Sequence, residues 1–130
     1  MQSNNELINK LQTILTKLKN LPNNQIKIEQ LNQIETELAS LLPQIQFELT
    51  TARIDSKWDD ANEYRQVYQE CENALDSVRT AIFKSTIIGI NQENLIELQK
   101  ILDEVKTASK TQQRIKLVMS SLRLVQKLLK

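Results

Sequence analysis

The densest group of side chains able to do chemistry is Asp59, Asp60 and Glu63, of which Asp60 and Glu63 are three residues apart and so share one face of a helix. Carboxylates held this way suit a hard divalent cation. The same residues stand where a helix begins. Acids in a first turn complement the positive end of the helix dipole, so a capping role is the expected one. Little else in the chain can support catalysis. There is no histidine, which removes the commonest general base near neutral pH, every nucleophile that His would activate, and the Glu-x-x-His ligand pairs of di-iron bundles. With Gly89 as the only glycine, no Gly-rich phosphate loop can form. One cysteine without histidine does not make a zinc site. The chain therefore reads as non-enzymatic, with no catalytic residue, cofactor or metal expected.

The Asp-Asp-x-x-Glu spacing resembles the aspartate-rich magnesium motif of isoprenoid synthases. Those enzymes use a much longer helical chain and a second acidic motif, and neither is present. The paired Glu-x-x-Glu and Glu-x-x-Asp signatures of all-α nucleotide pyrophosphohydrolases are missing too. Cys71 falls on an apolar helical stripe between Glu70 and Glu72, an environment that favours the thiol over the thiolate, so a buried structural role is expected. Trp58, Tyr64 and Tyr68 lie on one line with Phe83 nearby. Core packing is the expected use of such a line, the alternative being a groove at one end of the fold that receives a partner's helix.

The elements that must position these residues are helices. Hydrophobic residues make up 40% of 130 and charged residues 25%, with one Gly and two Pro, so the punctuation that β-rich folds need is lacking. Ser3 and Glu6 have capping-box spacing. The stripe Leu7, Leu11, Ile14, Leu18, Leu21 follows, ending at a Pro22-Asn23-Asn24 turn. A second stripe runs through Leu31, Ile34, Leu38, Leu41, Ile45, Leu49 and Ala52, with a kink or break expected at Pro43 near Leu42. Asp55 or Ser56 is the expected cap of a third helix carrying Trp58, Ala61, Tyr64, Tyr68, Cys71, Leu75, Val78 and Ile82, and Gly89 the left-handed residue that ends it. Asn91 can cap a fourth helix with Leu95, Leu98, Leu102 and Val105. The fifth carries Ile115, Val118, Leu122, Val125 and Leu129, broadened by Leu117, Leu124 and Leu128.

These spacings predict an all-α fold: one domain over 1–130, an antiparallel up-and-down bundle of four to five helices around a long central helix at about 56–88, without strand. No apolar run of eighteen residues is present and the polar start lacks the apolar region of a signal peptide, so a soluble, cytoplasmic protein without a transmembrane segment is expected.

Charge is unevenly spread. Residues 1–104 hold 10 basic and 16 acidic residues, a net of −6, whereas 105–130 hold 7 basic residues and no acid. Lys116, Arg123, Lys127 and Lys130 form a stripe on the fifth helix, with Arg114 and Lys110 near its start; Glu93, Glu97, Asp103 and Glu104 on a neighbouring fourth helix are available to balance part of it. Two functions follow. The preferred one is a non-enzymatic interaction or regulatory module that packs an apolar strip or the fifth helix against another protein, a second copy of itself included, through Arg114, Lys116, Leu117, Arg123, Leu124, Lys127 and Leu128. The alternative is binding of an anionic surface, whether an acidic protein, lipid headgroups or nucleic acid, through the basic residues of that helix. Two arginines at most and no interleaved aromatics make nucleic acid the weakest of these partners.

Overall fold

The computed structural model describes residues 3–129, with side chains from Glu6 onward. The chain is 85% helical, in a 3-10 turn (Pro22–Asn24) and five α-helices: α1 (Ser3–Lys19), α2 (Ile28–Ile54), α3 (Trp58–Lys84), α4 (Gln92–Thr107) and α5 (Thr111–Leu128). The Ser3 side chain of the expected capping box lies outside the described residues, as does Lys130.

Cross-helix bonds give the helix directions. Glu35 and Leu38 of α2 meet Arg79 and Cys71 of α3 in descending order, so these two are antiparallel. On α5, Gln112 and Gln126 meet Asp60 and Glu70 of α3 in ascending order, so α3 and α5 run parallel. Lys17 of α1 pairs with Glu37 of α2 at 2.8 Å, and Lys127 of α5 with Glu97 of α4 at 3.1 Å. The chain thus alternates up and down. α1, α2, α3 and α5 close a ring of four packed helices, and α4 lies against α1 and α5.

α3 is the long helix expected, its 27 residues falling within the expected 56–88 and spanning about 40 Å at 1.5 Å per residue, a length that α2 equals. It makes the two most extensive helix contacts of the bundle, with α2 and α5, while α1 and α5 each meet three helices. α2 runs unbroken through Pro43. Pro43 is on the solvent side, so the carbonyl that its ring deprives of a donor lies near water, and the apolar residues before and after it pack on one continuous core.

The helix ends also differ from the sequence-based expectation. Asp55 closes α2, and Ser56 adopts φ 58 with its N–H donated to the Arg53 carbonyl while the Lys57 N–H reaches the Ala52 carbonyl at 2.8 Å. That Schellman closure leaves Lys57, not Asp55 or Ser56, as the N-cap of α3. α3 likewise ends at Ser85, φ 52, and not at Gly89. Gly89 lies in a two-residue strand, β2 (Ile88–Gly89), paired antiparallel with β1 (Gln25–Ile26), so the fold is not wholly without strand. This pairing ties the α1–α2 connection to the α3–α4 connection. It also carries buried Ile26 and Ile90 over the end of the core. Asn91 does cap α4, its side chain accepting the Asn94 N–H at 2.8 Å.

Candidate interaction surfaces

The carboxylate group of α3 is taken apart by its neighbours. Asp60 accepts a hydrogen bond from the Gln112 amide of α5, Asp59 is exposed, and Glu63 is half-buried. Among the described residues no three His, Cys, Asp or Glu side chains converge as a metal-holding group. Cys71 is fully buried, its thiol donating to the Leu38 carbonyl at 3.4 Å, and burial, then the charge of Glu72, pushes its pKa up to about 12. At neutral pH it is a thiol, and a poor nucleophile.

The aromatic line divides. Tyr64 is buried and Tyr68 half-buried, whereas Trp58 is 60% and Phe83 91% exposed. Trp58 opens α3 just past a chain reversal, and Phe83 stands in its last turn beside Ile82, one position off the core line. Core packing therefore holds for the middle of the line only.

The broad apolar flank expected on α5 is covered from inside. Leu124 and Leu128 are buried, and Leu117 is half-buried against the core. α5 packs on α1, α3 and α4, and three neighbours account for a wide apolar arc without any second chain. Leu124 and Leu128 accordingly offer no surface to a partner. The basic residues of α5 are exposed except for half-buried Arg114, but its own bundle answers part of the charge. Lys127 pairs with Glu97, and Arg123 lies 3.6 Å from Glu70, which also accepts the Gln126 amide at 2.7 Å. Lys116 lines a recess with Glu104 between α4 and α5.

A feature that the core periodicity does not reveal is on α2. Its core stripe leaves the opposite face to solvent, and there Thr36, Ser40, Pro43, Phe47, Thr50 and Ile54 recur at intervals of four and three, every one exposed. A solvent face is ordinarily charged or strongly polar. This one carries no charge at any of the six positions. It presents Phe47 at 55% exposure and Ile54 at 77%, and Trp58 follows just past the turn. Its hydroxyls are already engaged: Thr36 donates to the Asn32 carbonyl at 3.2 Å, Ser40 to the Glu37 carbonyl at 2.7 Å, and Thr50 accepts from Gln46 at 3.4 Å. Polar groups bonded within their own helix can lose water at little cost. The sequence signal for this face is a second seven-residue rhythm beneath the core stripe.

Other exposed apolar side chains do not recur along one helix face. Ile28 next to β1, Ile87 next to β2 and Phe83 in the last turn of α3 flank the paired strands. Ile96 stands on α4 with Glu93 and Lys100 one turn to either side, and a single exposed hydrophobe of that kind is ordinary. Among the described residues no helix is long and apolar enough to cross a membrane. No protein-family model matches this chain, and no curated protein or solved structure is significantly similar to it.

Proposed function

We propose that this protein is a non-enzymatic interaction module whose working surface is the outer face of α2. The observation that carries the reading is the uncharged row from Thr36 to Ile54, exposed along its length and opposite the core. Its apolar members, Pro43, Phe47 and Ile54, stand four and seven residues apart with hydroxyl side chains at the positions between and before them, on the side of α2 away from the core.

Binding of an anionic surface through Arg114, Lys116, Arg123 and Lys127 is the second reading. It rests on their place on a helix segment free of acids and is weakened by the pairing of Arg123 and Lys127 with Glu70 and Glu97.

One comparison separates the two. The native mass of the protein purified from its own cells is measured for the wild type, for Phe47→Glu with Ile54→Glu, and for Lys116→Gln with Arg123→Gln and Lys127→Gln. The α2 reading expects associated protein, of whatever chain, to be lost from the first variant and kept by the second. Retention by the α2 variant together with loss from the α5 variant would transfer the function to the basic helix.

A further inference from the structure

We infer that the end of the bundle closed by the β1–β2 pair docks on an anionic lipid surface, Phe83 and Ile87 entering the headgroup layer and Lys19, Lys27 and Lys84 meeting lipid phosphates. This tip is a different surface from the α2 face and stands independently of it. Among the described residues Phe83 is the most exposed large apolar side chain, and Ile28 and Ile87 are exposed beside the two paired strands. A ring that touches so little of its own chain projects from the molecule. A folded protein partner would need a pocket shaped to receive it, whereas the fluid boundary between headgroups and acyl chains accepts a projecting apolar side chain without one.

Charge selects the occupant. Residues 7–28 and 77–92, which supply both strands and the helix ends that lead into them, contain no Asp or Glu; with 105–130 they are the three longest such stretches of the chain. The Gln25–Gly89 and Ile26–Ile88 pairs bring two of them together here. Lys17 and Arg79 turn back to Glu37 and Glu35 of α2. Lys19, Lys27 and Lys84 are exposed and, among the described residues, form no ion pair. Lys19 and Lys84 suit the C-terminal ends of α1 and α3, but Lys27 is the N-cap of α2, at the positive end of that helix's dipole. Its position is unfavourable within the fold and favourable against an anionic surface. Lys27 and Ile87 come next outside the Ile26–Ile88 pair, so cation and apolar side chain adjoin, as interfacial binding requires. The acids that follow the two stretches, Glu29 and Glu93, stand in the first turns of α2 and α4, where the helix N-termini offset their charge.

Co-sedimentation of the purified chain with lipid vesicles tests the inference. The wild type is expected to bind phosphatidylcholine vesicles that contain about 30 mol% phosphatidylserine, and to bind pure phosphatidylcholine about 10-fold more weakly or less. Lys19→Gln with Lys27→Gln and Lys84→Gln should weaken binding about 100-fold, and Phe83→Glu with Ile87→Glu should abolish it. All five side chains are exposed, so the helical circular dichroism spectrum of both variants should be unchanged. Tryptophan fluorescence reads the orientation. Trp58 stands at the other end of α3, about 40 Å away, so brominated lipid should leave wild-type emission unquenched and should quench a Trp58→Phe chain that carries Phe83→Trp. Absence of binding to the anionic vesicles would overturn the inference, and a bound protein released by Phe83→Glu in that case would assign the tip to a protein partner. Binding that survives Phe83→Glu with Ile87→Glu would also overturn it. Binding lost instead from Lys116→Gln with Arg123→Gln and Lys127→Gln would move the lipid contact to α5, and quenching of Trp58 would move it to the opposite end of the bundle.

Discussion

The Cys71 thiol, fully buried against the Leu38 carbonyl, has its pKa raised from 9.0 to about 12, and that fixes the sign of a pH dependence. Below pH 9 the thiol is protonated in both states and contributes no pH dependence. Above pH 9 the unfolded chain releases the proton and the folded one does not, so stability falls by about 1.4 kcal/mol per pH unit until the folded group titrates. Denaturant unfolding of wild type and Cys71→Ala from pH 8 to 11 should show the wild type losing about 2 to 3 kcal/mol relative to the variant. A constant difference would mean that the thiol is not shielded. The burial itself was legible in the sequence, because Cys71 lies on an apolar stripe and its neighbours Glu70 and Glu72 disfavour a thiolate. Trp58 is the opposite case. Periodicity assigns it to the core line, but periodicity carries no information about where neighbouring helices end, and Trp58 opens α3 at a chain reversal.

Helix interiors were more legible than helix ends. The stripes of all five helices follow from spacing, with Trp58 of α3 the exception, as does the Asn91 cap. Gly89 was the natural residue for a left-handed stop, yet the chain stops α2 and α3 with Ser56 and Ser85 at φ 58 and 52. Serine there bears a steric cost that glycine would not. Ser56→Gly and Ser85→Gly should each stabilise the protein by about 0.5 to 1 kcal/mol, net of the greater freedom that glycine has when unfolded. The two should add nearly independently, since they lie at opposite ends of α3. Gly89→Ala should have little effect, because Gly89 has no positive φ and an added Cβ would meet no atom within 4 Å. Thermal unfolding of the three variants decides this, and a large loss at Gly89 would contradict the strand assignment. At Pro43 the rule that proline breaks helices failed for a related reason: position 43 faces solvent, a fact set by packing rather than by residue type.

At the scale of the molecule, composition and periodicity were enough for an all-helical, up-and-down bundle, but not for its packing order. Alternating directions are compatible with several arrangements of neighbours. The one adopted makes α3 and α5 parallel partners, held by the Asp60–Gln112 and Glu70–Gln126 bonds, and sets α5 against α1, α3 and α4. That arrangement decides which apolar arc is spare. It covers Leu124 and Leu128 from three sides and leaves the row from Thr36 to Ile54 open, so the surface free for a partner moves from α5 to α2. Hydroxyl-radical footprinting of the associated and dissociated protein measures side-chain exposure on both helices at once. The α2 account expects Phe47, Ile54 and Pro43 to lose reactivity on association while Phe83 and Ile96 keep theirs. Unchanged reactivity at Phe47 and Ile54, with protection at Leu117 on α5 or at Phe83 instead, would contradict it.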